Sequence, residues 1–366
     1  MFLVDMPCAL CTVRERRKET LYLLPATSDM GVLLIDVLME HNIAFEPQAN
    51  LIALPGSPDE ERVVALLRQV LSEPERQAVS VFRSDGREFP RARTLDEWWR
   101  IFQTGWFGPA LAEDRFTHWF QPIVDTNRHR VLAHECLIRL QTSRIYNGDE
   151  IVDAARSHNA VHVFDCYARR LAIRSAARQS RGGVYFVNSL PSSIYNPEHC
   201  MKPTMQTLAG SGMNPANIVF EVVEAELNGD PAHLRRVCDH YRKEGFAFAL
   251  DDIGMSANSL PMICDLRPNY IKLNQSLAQN VEQPMCAATI RKLVELADQF
   301  GVTVIAKGVE RTQTMENLWL LGVECMQGYL FGRPAPQIGP GQQDLINLAH
   351  ALERDKVPVT PLLCQA

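Results

Sequence analysis

The chain has 366 residues, 46% of them apolar, with a net charge of −6, which allows two domains with substantial cores. No basic block stands out and no run of about 18 apolar residues occurs, so no nucleic-acid partner, acidic membrane surface or membrane span is expected. The ten cysteines are mostly scattered singly and the first five residues lack the basic and apolar regions of a secretory leader, so a reducing cytoplasm is the expected compartment.

Cys8 and Cys11 have the spacing of half a zinc site. No second pair follows nearby, so they are read as incidental thiols. Thr20 to Leu24 reads as a strand, Ser28 to Glu40 as a helix, Ile43 to Phe45 as a short strand and Asn50 to Leu54 as another. Ser57-Pro58-Asp59-Glu60 is a capping box with proline at the first helical position. Ala78 to Phe82 is a further strand, closed by a turn at Ser84-Asp85-Gly86. This β-α-β-β-α-β order is ferredoxin-like, so residues 1–93 are expected to form a small α+β sensory or regulatory domain. Blue-light flavin domains share a similar order, and Tyr22 lies on a first strand as theirs does. No matching glutamine follows on a later strand, so no flavin is expected, and a partner-binding or dimerising module is the preferred reading. Thr94 and Glu97 form a second capping box, opening a helix with Trp98 and Trp99. Residues 94–115 are read as a helical connector.

From about residue 116 strand-like runs alternate with amphipathic helices. The runs are His118–Asp125, Val131–Leu140, Val184–Leu190, Asn217–Glu224, Ala247–Asp252, Tyr270–Asn274, Thr303–Gly308 and Cys325–Phe331. Asp230-Pro231 opens one helix, ended by Gly245, and another stops before Gly301. The alternation suggests a TIM-like (β/α)8 barrel over residues 116–351, followed by a loose tail at 352–366.

Active sites of such barrels lie at the carboxyl ends of the strands, where Glu135, Asn188, Glu221, Glu224, Asp251, Asp252, Lys272, Lys307 and Gln327 fall. Several acids converging on one face need cations. Asp, Glu and Asn oxygens suit magnesium, manganese or calcium, and two such ions can activate a water against a phosphodiester. Capping roles and pairing with Arg139, Lys272 and Lys307 are the alternative from pattern alone.

Glu135-Cys136-Leu137 with Arg139 resembles the EALxR motif of the EAL-domain family, preceded by Gln121-Pro122-Ile123-Val124 as in that family. Phe186-Val187-Asn188-Ser189 resembles its asparagine strand, and Glu221 with Glu224 its ExxE motif. Asp251-Asp252-Ile253-Gly254 resembles DDFG, Tyr270-Ile271-Lys272 resembles YIKID, and Ala306-Lys307-Gly308-Val309-Glu310 resembles AEGVE. Gln327 through Pro334 resembles the closing QGYxFGxP. The motifs run in family order across about residues 116–336.

The resemblance implies a modified (β/α)8 barrel with an antiparallel first strand. Active members hydrolyse cyclic di-GMP to the linear dinucleotide with two magnesium or manganese ions. By the family pattern Glu135, Asn188, Glu221, Asp251 and Asp252 would hold metal, and Lys272 would help place the water. Gln121, Pro122, Leu137, Arg139, Gln327 and Pro334 would contact the nucleotide. Three departures weigh against metal and hydrolysis. The proposed general base, a glutamate in the family, is Lys307 here. The aspartate of YIKID is Asn274, and the loop after Asp252 has drifted. A unit charge about 4 Å from another interacts by roughly 4 kcal/mol at an effective dielectric of 20, and a divalent ion doubles that. The reading is therefore a catalytically inactive cyclic di-GMP receptor, working through a protein partner and compatible with a homodimer. A protein-binding regulator that has lost the nucleotide and an active phosphodiesterase stay open beside it. His134 is read as a strand residue facing the barrel wall.

Overall fold

The computed structural model describes residues 20–55, 60–84, 92–180, 182–223, 230–254 and 259–338. Cys8, Cys11, Ser57 to Asp59, Asp85, Gly86, Glu224, residues 255–258 and the tail lie outside them. The chain divides into two compact units. One comprises the residues up to Arg115 with Asp149–Val163, the other Phe116–Gly148 with the residues from Phe164 onward.

In the first unit β1 (Thr20–Pro25), α1 (Ser28–Glu40), β2 (Glu46–Gln48), β3 (Leu51–Leu54), α2 (Glu60–Val70), α3 (Glu73–Gln77), β4 (Val79–Ser84) and β5 (Arg93–Thr94) follow in order. The sheet runs β2-β3-β1-β4-β5, with every pairing antiparallel. That is the ferredoxin-like arrangement expected from the element order. Alternation puts Leu21, Leu23, Ile52, Leu54, Val79 and Val81 on one face, packed with Leu34, Leu38, Val63, Val64 and Leu67 of the helices. The short strand lies at Glu46–Gln48, not at Ile43–Phe45. Ile43 instead closes α1, donating its N–H to Leu38 O at 2.9 Å, and its side chain and that of Phe45 pack on the helical core. The helix α4 (Leu95–Gln103) carries the expected capping box. Its Trp98 donates Nε1–H to Val81 O at 2.7 Å, tying the helix to the sheet. Within the same unit α5 (Phe107–Ala112) places Phe107 in a stacked contact with His158, at 5.7 Å between centroids.

The second unit is a closed barrel. Apart from α6 (Gly148–Ser157), which from Asp149 onward belongs to the first unit, the elements from Phe116 are β6 (Phe116–Asp125), β7 (Arg130–Gln141), the short β8 (Ile145–Tyr146), α7 (Val161–Gln179), β9 (Tyr185–Asn188), α8 (Pro197–Cys200), α9 (Lys202–Ser211), β10 (Ile218–Val223), α10 (Pro231–Lys243), β11 (Ala247–Ile253), α11 (Ser259–Leu266), β12 (Tyr270–Leu273), α12 (Gln275–Gln279), α13 (Pro284–Phe300), β13 (Thr303–Ala306), α14 (Thr312–Leu320) and β14 (Cys325–Gln327). The ring runs β6-β14-β13-β12-β11-β10-β9-β7 and back to β6. β6 is antiparallel to both neighbours and the other ring pairings are parallel. The helix opened by Asp230 ends at Lys243, with Gly245 at φ +83°, and α13 ends against Gly301 at φ +67°. Several strands are shorter than the sequence suggests, β9, β12, β13 and β14 among them. Asn274 caps α12 with its side chain. After Gln327 the chain turns at Gly328, where a Cβ would stand 1.9 Å from Val309 O.

Period-two alternation builds the site. Ile123, Ala133, Phe186, Val219, Ala249, Ile305 and Cys325, with Tyr270 against them, form one apolar cluster. Two residues further toward the carboxyl end of each parallel strand stand Glu135, Asn188, Glu221, Asp251, Lys272, Lys307 and Gln327. On the reversed β6 the equivalent step leads from Ile123 back to Gln121. One apolar layer thus plugs the barrel and one polar layer sits directly above it, at the mouth.

Candidate functional site

Lys272 is the hub of the polar layer. It is fully buried, and its Nζ donates to Glu135 Oε2 at 2.8 Å and to Glu221 Oε1 at 2.6 Å. Gln327, also buried, donates Nε2–H to the same Glu135 oxygen at 2.7 Å, and Asn188 donates to its other oxygen at 3.4 Å. Burial opposes ionisation of Glu135, but Lys272, the Gln327 hydrogen bond and the charge of Lys307 prevail and hold its pKa at about 2. Glu221 shares the ammonium yet is pushed the other way, well above the carboxylate range. It is more completely desolvated, it faces the Glu135 charge, and its Oε2 has no hydrogen-bond partner. The Lys272 ammonium thus meets both carboxylates, and the two coupled glutamates shift in opposite directions. Lys272 itself stays charged: burial works against it, but the surrounding carboxylates raise its pKa.

Lys307 forms a second centre. Its Nζ lies 2.6 Å from Asp251 Oδ1 and 2.6 Å from Asp252 Oδ1. Burial again disfavours the charge, and the two aspartates outweigh it, so its pKa is above the ordinary lysine value. Asp252 reaches this position through a left-handed backbone, φ +63°, which is uncommon for a residue with a side chain. Asn274 Oδ1 accepts from the Ser276 N–H at 2.9 Å and from Ser276 Oγ at 2.6 Å.

The residues expected to face a nucleotide fall into two groups. Gln121 accepts from Gln327 at 3.4 Å and donates to Gly332 O at 3.2 Å. Pro122 lies under Gly332, where a Cβ would come within 2.9 Å of its ring, and Phe120 pairs with Ala335 beside Pro334. Gln121, Pro122 and Pro334 are thereby gathered where β6 meets the loop after β14. Leu137 and Arg139 lie further along β7. Arg139 stacks over Trp119 at 5.8 Å and donates to Ile138 O at 2.8 Å. Trp119 was not singled out in the sequence. The strand pairing of Trp119 with Leu137 is what brings it beneath the guanidinium. His134 is buried and neutral, its pKa depressed by burial to about 4, and its ring lies near Tyr185.

The oxygen donors Glu135, Asn188, Glu221 and Asp251 have the chemistry of a hard divalent site, and Glu221 Oε2 is unpartnered. Their arrangement is closed by ammonium groups instead. Among the described residues no three His, Cys, Asp or Glu side chains stand in a metal-holding group. A divalent ion would have to compete with Lys272 for Glu135 and Glu221, and with Lys307 for Asp251 and Asp252. Glu135, Asn188, Glu221, Asp251 and Asp252 are the oxygen donors that would hold a divalent ion, and Lys272 and Lys307 are the cations it would meet there.

A profile described as EAL domain matches residues 106–334. Among curated proteins, the cyclic di-GMP phosphodiesterase RocR of Pseudomonas aeruginosa is 34% identical over 124 residues, 34% of this chain and 32% of that protein. The blue light- and temperature-regulated antirepressor BluF of Escherichia coli is 23% identical over 218 residues, 58% of this chain and 53% of that protein. The chain spans about a third of the length of the first curated relatives it matches. Among solved structures, a standalone versatile EAL protein from Vibrio cholerae O395 in its c-di-GMP-bound form is 28% identical, with a TM-score of 0.56 over 62% of this chain and 97% of that one. The manganese/cy-diGMP complex of Klebsiella pneumoniae BlrP1 shares the fold at 20% identity and a TM-score of 0.55, over 87% of this chain and 96% of that one. With its motifs in order around a barrel whose first strand is antiparallel, and this profile across more than half its length, the chain belongs to the EAL domain family.

Proposed function

We propose that the barrel binds cyclic di-GMP without hydrolysing it, and that the chain acts as a receptor in signalling by that dinucleotide. The observation that carries the reading is Lys307, bridging Asp251 and Asp252 at 2.6 Å each with a raised pKa. A protonated amine cannot take a proton from water, and a fixed cation beside two carboxylates disfavours a metal there. Gln121, Pro122, Leu137, Arg139 and Pro334, by contrast, are all at least partly accessible around the mouth. Arg139 offers a phosphate-matching fork.

Calorimetry with cyclic di-GMP, with and without EDTA, tests the reading, together with chromatography of the nucleotide after incubation with magnesium or manganese. Binding unaffected by EDTA, weakened by salt and without linear product is expected. Absence of binding heat in both buffers at high protein concentration would favour the regulator that has lost its nucleotide. Turnover with manganese would favour the phosphodiesterase.

The same reading makes residues 1–93 a module that passes the signal to a protein partner or a second copy, residues 94–115 its connector and residues 116–351 the barrel. It places the chain in the cytoplasm. Light scattering with and without nucleotide reads the oligomeric part. Among the described residues, no helix is long and apolar enough to cross a membrane.

A further inference from the structure

One buried charged cluster lies away from the mouth. Asp165 and Arg169 on α7 are 3% and 1% exposed and form an ion pair. Asp165 Oδ1 accepts the Leu190 N–H at 3.1 Å, and Oδ2 accepts Ser193 Oγ as well as the guanidinium. Arg169 Nε reaches Thr204 Oγ1 on α9 at 3.5 Å. Desolvating two charges costs several kcal/mol per ion, so a pair like this adds little net stability, and apolar replacements of similar size are often neutral or better. It does fix direction, because three donors meet one carboxylate.

The residues so tethered follow Asn188 directly. Asn188 is exposed at the mouth, where its side chain donates to Glu135 at 3.4 Å. Its neighbour Ser189 is held from the other side: its N–H donates to Glu221 O at 3.0 Å, and its Oγ meets the buried Tyr241 OH at 2.8 Å. Behind it, the Leu190 N–H and the Ser193 hydroxyl both meet the Asp165 carboxylate, while the Ser193 N–H donates to Leu190 O at 2.8 Å within the turn. We infer that Asp165 is a positioning residue, which through Leu190 and Ser193 fixes the turn that aims Asn188 at Glu135, with Arg169 fixing Asp165 in turn.

The full-length chain tests this by hydrogen–deuterium exchange. Asp165→Leu with Arg169→Met removes the pair for apolar chains, and Ser193→Ala removes one tether without touching either charge. The double variant should exchange at least ten-fold faster over residues 188–194, with β10 to β13 unchanged and the Tm little moved. Ser193→Ala should show a smaller acceleration at the same place. Asp165→Asn with Arg169→Met keeps an acceptor for the Leu190 N–H and should restore most of the protection, which a merely space-filling role would not. A second readout rests on the receptor reading: cyclic di-GMP affinity should fall about ten-fold in the Leu/Met variant and recover in the Asn/Met one. If the wild-type chain binds no nucleotide, that reading fails and the exchange result alone decides the positioning role. Unchanged exchange over residues 188–194, or an acceleration shared by every strand, overturns the inference. Should the double variants not fold, Ser193→Ala decides it at the same turn.

Discussion

Lys307→Glu combined with Asn274→Asp puts the charge argument at its sharpest. Lys307 Nζ stands 2.6 Å from each of Asp251 and Asp252. A divalent ion about 4 Å from that ammonium meets a repulsion of roughly 8 kcal/mol at an effective dielectric of 20, and a carboxylate in its place reverses the sign, a swing of roughly 16 kcal/mol. The Lys307 side chain is 18% exposed, so water and rearrangement remove most of that. If a fifth survives, about 3 kcal/mol remains, more than a hundredfold in affinity. Asn274→Asp adds less, because the residue caps α12 and an aspartate there would be partly satisfied by the helix terminus. Manganese titration by calorimetry on the full chain is the assay. The double variant should bind at least a hundredfold more tightly than the wild type, and without metal it should be less stable, since three carboxylates then crowd one another. Equal manganese affinity, within about threefold, would refute the reasoning. Metal affinity, not hydrolysis, is the readout, because the loop after Asp252 also differs from the family pattern.

Lys272→Met should cost about 3–5 kcal/mol in urea unfolding, because it strands Glu135 and Glu221 in the barrel without a counter-charge; a loss below about 1 kcal/mol would mean that Lys272 is not the hub. The pH dependence should divide the two glutamates. Glu135 has a folded pKa of about 2 against an ordinary 4.5. Between those values the unfolded chain binds the extra proton, so its contribution is full above 4.5 and lost as pH falls toward 2, by about 3 kcal/mol. Glu221 is shifted upward, so its contribution is lost as pH rises above 4.5. Glu135→Gln should flatten the acid side of the stability profile and Glu221→Gln the opposite side; equal changes of slope in both variants would contradict the assignment. Gly328→Ala drives a Cβ into Val309 O, a backbone atom that cannot step aside, and should cost about 1–3 kcal/mol or more while loosening Gln327. A melting temperature equal to wild type would show that the turn yields.

The strand ends were legible because one polar residue follows a short apolar run on strand after strand, a pattern that survives small errors in boundaries. Glu135, Glu221, Asp251, Lys272 and Lys307 were found that way and do meet. Lys307 was read from the sequence as standing where the family has its general base, with pairing to the acids as an alternative. That it bridges Asp251 and Asp252 together, the latter with a left-handed backbone, is what the structure adds. Asp165 and Arg169 were illegible for a different reason. Spaced by four on a helix, they look like an ordinary solvent-facing pair, and their contacts with the turn after β9 and with Thr204 of α9 appear only in the fold. Ile43 and Phe45 misled because apolar residues just after a helix serve its own core as readily as a sheet.

The two lysines differ in what they can do for an anion. Lys272 is sealed below the mouth, and its charge is consumed by Glu135 and Glu221. Lys307 is at the rim, partly exposed, and an ammonium has three N–H donors. Two meet Asp251 and Asp252, which leaves one for a third oxygen. The glutamate that the family places there could neutralise nothing and donate nothing to a phosphate. A substitution that removes the base therefore also supplies a donor. On the receptor reading proposed above, one substitution accounts for both the absence of hydrolysis and a phosphate contact, and Lys307→Met should weaken nucleotide binding, whereas a merely inert replacement of the base would leave it as it was.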